Sequence, residues 1–326
     1  GLFENCHKLQ TVPELRTENV INLTSLFREC WALTEVPTLD TTNAVYIGGM
    51  YYNCKQLTSI PTITTTNVVN IAELFFGCSS LEEIPEFITT DETMETPTDK
   101  VTDMRGLFDG CKKITRVPDI STKNVQDFSG MFKDCILITE VPELDVTNAT
   151  LCSEMFYNCK SLVNVPRFIT TDETTPFENC SVMYSMFKDC LFEDDPRIST
   201  KSGEDISSLF EGCRNLTSVS GIDTSKAMFM SSIFRNCERL LIAPNVDLSC
   251  VLEEAASVFE GCKSITRTPK IKNLGNKLFR LPYLFKNCTN LTEVEVFDLN
   301  KVSNISEMFR GCESLTEVPI FDTSKV

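Results

Sequence analysis

The amino-acid sequence predicts an α/β solenoid of about 13 coils, each a short parallel strand followed by a short helix. Three observations support this fold class. One sequence motif centred on cysteine recurs along the whole chain, and the apolar residues before each cysteine follow a helical spacing. A Thr/Val segment that ends in proline follows most of these cysteines. Self-similarity at a period of roughly 20 to 50 residues indicates a repeat architecture. We therefore expect residues 1–326 to form a single repeat array.

The repeat cysteines fix the period. Most steps between them are 24 residues long, and two are clearly longer: 33 residues before Cys111 and 31 before Cys190. The full set is Cys6, Cys30, Cys54, Cys78, Cys111, Cys135, Cys159, Cys190, Cys213, Cys237, Cys262, Cys288 and Cys312. The chain opens and closes inside a repeat without polar caps, so we expect a fragment of a longer protein, with flanking domains or subunits covering both ends.

The segment before each cysteine carries the pattern of a helix. An aromatic residue lies three positions before the cysteine in every repeat, and it is Phe in twelve of the thirteen. Further apolar residues lie four, seven and often ten positions before it, as in Met131, Phe128 and Val125. This spacing places them on one face of a helix of about ten residues. Threonines upstream, such as Thr65, Thr122, Thr147 and Thr224, are typical N-caps.

The segment after each cysteine predicts a strand. Leu or Ile follows at the third position, Val or Ile at the sixth, and Pro at the seventh in ten repeats. Short Thr/Val segments bounded by proline are typical of strands of three to five residues. Stacked repeats would pair these strands in a parallel sheet, spaced about 4.8 Å apart.

Two insertions interrupt the period and are the first candidate binding residues. The loops cover 86–100 and 167–181, and both contain Phe-Ile-Thr-Thr-Asp-Glu-Thr. Insertions in solenoids form loops on one face, often the binding face. A duplicated block without function explains them equally, and a calcium site at the acidic residues is a further hypothesis. The candidates are Phe87, Thr90, Asp91, Glu92, Phe168, Thr171, Asp172 and Glu173.

A second candidate is the residue five positions after each repeat cysteine. On the predicted strand these residues form an exposed, mostly charged row, which suits recognition of a protein or glycan and equally suits a solvated sheet. The charged candidates are Glu35, Glu83, Arg116, Glu140, Arg267, Glu293 and Glu317.

Composition narrows the possible functions. The net charge of −16 argues against nucleic-acid binding, and no stretch approaches the roughly 18 apolar residues of a membrane span. The cysteines lack the close pairs of a metal site, and a stacked row points its side chains in parallel, so a reduced core ladder is expected rather than disulfides. The single histidine, His7, and the lack of a catalytic motif predict no enzyme, no metal and no cofactor.

The motif itself points to a family. Two motifs occur together throughout the chain. The first is Met-Phe-x-x-Cys-x-x-Leu-x-x-Val-Pro, as in 131–142 and 308–319, and the second resembles Asp-Thr-x-Asn-Val. This combination resembles the BspA-type leucine-rich repeats, and among them the domain-of-unknown-function version found in bacterial surface proteins. The resemblance implies a leucine-rich-repeat-like solenoid that adheres to host or bacterial partners, and similar arrays occur in bacteriophage proteins.

These observations lead to two functional hypotheses. The first is a non-enzymatic binding or adhesion module, extracellular or on the cell surface, that presents a solenoid face to a protein or glycan. The alternative is a structural or receptor-contacting component of a larger assembly such as a bacteriophage virion. Neither hypothesis includes nucleic acid or insertion into a membrane.

Overall fold

The computed structural model describes residues 1–94, 96–170 and 175–326. By its contacts the chain divides into two compact units. The first consists of Gly1–Leu162 and the segment that starts at Pro166, and the second of Val163–Val165 and Thr175–Val326. Each unit is a stack of repeats wound in the manner of a leucine-rich-repeat solenoid.

An aromatic stack forms the core of each unit. The rings three positions before the repeat cysteines lie face to face, with centroids 5.2 to 6.1 Å apart in the first unit and 5.5 to 5.7 Å apart in the second. The first stack contains Phe3, Phe27, Tyr51, Phe75, Phe108, Phe132 and Phe156. Because each ring contacts a ring of the next repeat, a single repeat has no complete core of its own.

The predicted helices are wrong: none of the described residues lies in an α-helix. The segment before each cysteine consists instead of successive β-turns. In one repeat the Leu26 amide donates to the Leu23 carbonyl (3.2 Å) and the Cys30 amide donates to the Phe27 carbonyl (3.0 Å). The third residue of the second turn has a positive φ, which is 62° at Glu29. These are type II turns, and because each advances the chain by three residues, they give the same apolar spacing as a helix.

One sequence signal distinguishes turns from a helix. The residue immediately before the repeat cysteine is Gly, Asn or Asp in twelve of the thirteen repeats, and Glu29 is the exception. These residue types adopt left-handed backbone at low cost and weaken a helix. The turns also free amides for bonding between repeats: the Leu23 and Phe27 amides donate to the carbonyls of Tyr46 and Met50, both at 2.9 Å. In an α-helix these amides would instead donate to carbonyls of the same helix.

Seven of the eight strands in the described part of the chain have two residues, which is shorter than predicted. The strands are β1 (Ile63–Thr64), β2 (Phe87–Ile88), β3 (Leu144–Asp145), β4 (Phe168–Ile169), β5 (Val246–Asp247), β6 (Glu253–Glu254), β7 (Ile271–Lys272) and β8 (Leu278–Arg280). Six of them begin two residues after a proline rather than before it, and the other two, β6 and β8, lie in segments predicted as helix. Four parallel pairs form, β1–β2, β3–β4, β5–β7 and β6–β8. Since proline has no amide hydrogen to donate, regular pairing begins beyond it.

Of the four threonines named as helix caps, Thr65, Thr122 and Thr224 donate to carbonyls of the neighbouring repeat, whereas Thr147 donates to Asp145 of its own repeat. The Thr224 hydroxyl donates to the Asp247 carbonyl (2.8 Å) and accepts from the Asp247 amide (2.6 Å). Thr122 likewise donates to the Asp145 carbonyl (2.9 Å). A buried hydroxyl that both donates and accepts is satisfied without water, which explains why threonine recurs here.

All sixteen cysteines are free thiols, and thirteen of them are buried. The repeat thiols also bond between repeats: Cys54 Sγ donates to the Phe27 carbonyl at 3.2 Å, and Cys135 Sγ to the Phe108 carbonyl at 3.1 Å. The Phe27 carbonyl also accepts the Cys30 amide of its own repeat. Each such thiol therefore fills the core and occupies the second lone pair of a buried carbonyl.

This burial predicts how the thiols react. Without denaturant, only Cys6 and Cys250 are exposed, so we expect about two fast-reacting thiols per chain with a disulfide-exchange reagent and all sixteen in urea. Time-resolved counting at 412 nm with Ellman's reagent measures both numbers. Fewer than sixteen thiols in urea without added reductant would show that disulfides form.

Candidate functional site

The charged row predicted from the sequence is exposed. Seven candidates five residues after a repeat cysteine all lie on the surface: Glu35, Glu83, Arg116, Glu140, Arg267, Glu293 and Glu317. Threonines beside this row join neighbouring repeats, as where the Thr139 hydroxyl donates to the Thr115 carbonyl (3.2 Å). The row therefore rests on a backbone held by bonds between repeats.

In the first unit this row borders a groove with a volume of about 1020 Å³. Of the predicted residues, Glu83 and Arg116 line it, one from the repeat of Cys78 and the other from the repeat of Cys111. Ser59, an uncharged member of the same row five residues after Cys54, also lines the groove. The sequence reasoning missed the other lining residues: Thr58, Glu82, Ile84, Lys113, Thr115, Val117, Pro118, Asp119 and Leu137. The 33-residue step before Cys111 was the signal that could have located the groove, because its walls lie on either side of the extra residues.

The charges of the groove are of both signs. Lys113 Nζ lies 3.0 Å from Glu82 Oε1, which joins the two walls. Both side chains are about half exposed or more, so this ion pair contributes little stability. Within the described residues, Glu83, Arg116 and Asp119 form no ion pair. Three unpaired charged groups are thus available to a ligand.

The first insertion loop has a partly buried base and an exposed tip. Phe87 is only 5% exposed and lies in β2, so its side chain belongs to the core and is not available to a partner. Thr90 and Glu92 are exposed. The Thr93 hydroxyl and amide donate to Asp91 Oδ1 (2.6 and 3.0 Å), and these bonds, together with nearby Lys100, lower the pKa of the Asp91 carboxyl.

The second insertion begins in the same way. Phe168 lies in β4, is half-buried, and contacts the ring of Phe156 at a centroid distance of 6.1 Å. Thr171, Asp172 and Glu173 lie outside the described residues, so the binding and calcium hypotheses for them stay predictions. Across the described ranges, no three His, Cys, Asp or Glu residues are grouped so that they could hold a metal ion. The same ranges contain no helix that could span a membrane.

Comparison with known families assigns this fold. The model of the family described as "Mycoplasma protein of unknown function, DUF285" matches residues 1–96, 83–198 and 145–251. The chain belongs to the DUF285 family. Residues 206–326 match six copies of the BspA type Leucine rich repeat region, which confirms the resemblance seen in the motif.

Solved structures similar to this DUF285 chain include bacterial leucine-rich-repeat proteins. One from Bacteroides ovatus is 18% identical, with 96% of this chain and 79% of that one covered and a TM-score of 0.51. A leucine rich cell surface protein from Faecalibacterium prausnitzii is 17% identical, with 85% and 83% covered and a TM-score of 0.40. At these identities only the fold is shared. The search of curated proteins gives no match.

In this DUF285 chain, Asp109, two residues before the repeat cysteine Cys111, is a partly buried carboxyl with an unusual pKa. Burial raises this pKa to about 7, Lys133 opposes the shift, and the charges of Asp134, Glu154 and Glu73 add to it. The folded pKa therefore lies above the unfolded value of about 3.9. Stability from this group is complete below about pH 4 and is lost as the pH rises through 7.

We expect Asp109→Asn to raise the melting temperature at pH 8, with a gain that shrinks as the pH is lowered toward 4. Asp99 is the matched control, because its pKa is shifted the other way. Burial alone would raise it, but hydrogen bonds from Thr96, Ser121 and Lys123 lower it to about 2. Asp99→Asn should therefore lower the melting temperature at pH 8. Scanning calorimetry from pH 4 to 8 measures both, and equal effects of the two variants would contradict the assignment.

Proposed function

We propose that this protein is a non-enzymatic binding module that uses the charged row and its groove to hold a protein or glycan partner outside the cell. One observation carries the proposal: the groove of about 1020 Å³ lies on the surface that displays Glu83 and Arg116, which have no ion-pair partner in the part of the chain that the structure describes. Concave sites with a few converging polar groups are where ligands bind. The exposed Thr90 and Glu92 of the first insertion extend the same proposed surface.

Membership in a leucine-rich-repeat family supports this proposal, because repeat stacks create long exposed surfaces for recognition. The location outside the cell follows from the resemblance to BspA-type surface proteins. It also agrees with the buried thiols, which need no reducing compartment to stay unpaired. Surface labelling of intact cells of the source organism tests the location independently of binding.

The binding test uses the purified full chain on a printed glycan array and on an array of secreted proteins. The variant combines Glu83→Arg with Arg116→Glu, which leaves the net charge unchanged. A second variant, Thr90→Ala with Glu92→Ala, tests the insertion. Arg214→Glu is the control, because Arg214 is exposed and is not among the residues that line the groove. Binding that is lost in the first variant and kept in the control supports the proposal, and binding unaffected by either site variant contradicts it.

A further inference from the structure

The walls of the groove carry backbone groups that are paired on only one side. In several repeats, but not in all, the amide four residues after a repeat cysteine donates to the matching carbonyl of the preceding repeat. Glu82 donates to Thr58 (3.2 Å) and Thr139 to Thr115 (2.9 Å). The corresponding bond from the Thr115 amide to the Glu82 carbonyl is not formed. Among the described residues, no backbone hydrogen bond joins 79–86 to 112–119.

The gap lies where the first insertion enters the array. The step from Cys78 to Cys111 is 33 residues instead of 24, and the added length falls between the two walls. The bond is also missing after ordinary steps of 24 residues, between Thr58 and Thr34 and between Thr316 and Thr292, so a missing bond alone does not define a site. What distinguishes the Glu82–Thr115 gap is that it opens into the groove.

Unpaired strand edges bind other strands. An exposed row of amides and carbonyls is a template for an extended peptide, which gains its affinity from main-chain hydrogen bonds and its specificity from alternate side chains. The groove offers surfaces for both. Ile84 and Val117 are half-buried and Leu137 is 46% exposed, so they provide apolar contacts for side chains on one face of such a peptide.

The charge of the groove selects among peptides. Its lining contains three carboxylates, on Glu82, Glu83 and Asp119, against two cations, on Lys113 and Arg116. The balance is therefore −1, within a chain of net charge −16. Such a field attracts basic partners and raises their association rate.

We propose that the groove binds an extended, basic peptide segment by strand addition, with the Thr115 amide and the Glu82 carbonyl pairing to its backbone. This inference builds on the proposed function and names its ligand class. A glycan has no amide ladder with which to pair, so backbone pairing separates the two kinds of ligand.

The experiment begins with selection from a displayed random heptapeptide library on the full chain. Peptides are counter-selected on Glu83→Lys, which turns the groove charge from −1 to +1 when counted over the same lining residues. Glu14→Lys is the matched control, because Glu14 is exposed in the same unit and belongs neither to the charged row nor to the lining of the groove. We expect basic peptides with alternating apolar residues that bind the control like the parent chain and bind Glu83→Lys at least about tenfold more weakly.

Backbone pairing is then tested on a synthetic copy of the best peptide. N-methylation of alternate amides removes the donors while keeping the side chains, and should weaken binding at least about tenfold, since each lost hydrogen bond costs on the order of 1 kcal/mol or more. Amide exchange at Thr115 should slow when the unmodified peptide is bound. The inference is overturned if no peptide depends on Glu83, or if N-methylation leaves binding unchanged. Array binding that still depends on Glu83 and Arg116 would then leave the proposed function standing with a glycan as ligand.

Discussion

Replacing Phe132 by alanine is expected to lower the free energy of unfolding by about 3 to 5 kcal/mol. Phe132 is fully buried and its ring lies between Phe108 and Phe156, at centroid distances of 5.5 and 5.2 Å. Truncation removes the contacts on both faces of the ring and leaves a cavity that a continuous stack cannot close by a local shift. The substitution therefore weakens two interfaces between repeats at the same time.

Tyr46→Ala is the matched control for this prediction. Tyr46 is an aromatic residue of the same unit, but its side chain is 47% exposed. Its removal should change stability by less than about 1 kcal/mol, as is usual for surface positions. Urea unfolding followed by tyrosine and tryptophan fluorescence and by circular dichroism measures both variants. A loss below about 1 kcal/mol for Phe132→Ala would show that the stack is not the main core of the unit.

Gly221→Ala is expected to cost more than about 2 kcal/mol, for two reasons. Gly221 has a φ of 72°, a conformation that costs an L-residue roughly 1 to 2 kcal/mol. An added Cβ would also lie 2.2 Å from the Ile198 carbonyl oxygen, a backbone atom that cannot rotate away. The main chain of the neighbouring repeat must therefore move.

A second glycine separates these two contributions. Gly130 has a similar φ of 63°, but the atom nearest to a Cβ there would be Asp109 Oδ2, at an ordinary contact distance of 3.6 Å. Gly130→Ala should cost only the backbone part, roughly 1 to 2 kcal/mol. The difference between the two variants in the free energy of unfolding, measured in urea, gives the energetic cost of the close approach at Gly221. Equal losses of stability in the two variants would mean that the backbone around Gly221 moves to accommodate the Cβ at no energetic cost.

The sequence was sufficient to predict the repeat and its core. The period of Phe132, Cys135 and their equivalents predicts stacked units, and the stacked rings and buried thiols follow directly from it. The helix prediction failed because a spacing of three residues fits both a helix face and consecutive β-turns. The residues immediately before the repeat cysteines, such as Asn158 and Gly110, favour the turn, because they adopt a positive φ at low energetic cost.

The candidate site was predictable only in part. The exposure of Glu83 and Arg116 follows from their position in the repeat, but the groove between them depends on the path of 86–100 through space. The same path explains why Phe87 is buried: it pairs in register with Ile63 and continues the ladder for two residues before the insertion departs. Sequence similarity between the two insertions could not show that their first residues belong to the core.

The row of thiols has a consequence for life in an oxidising medium. Oxidants and disulfide partners attack the thiolate, and burial raises the pKa of Cys30 to about 11, compared with 9.0 for an unperturbed thiol. A pKa that is higher by two units reduces the fraction of thiolate near neutral pH about a hundredfold. Sulfenic acid formation, the first step of cysteine damage, is slowed by the same factor before access is considered. Burial can thus keep the thirteen buried cysteines reduced in an aerobic environment as long as the repeats stay stacked, whereas Cys6 and Cys250 are exposed to oxidants.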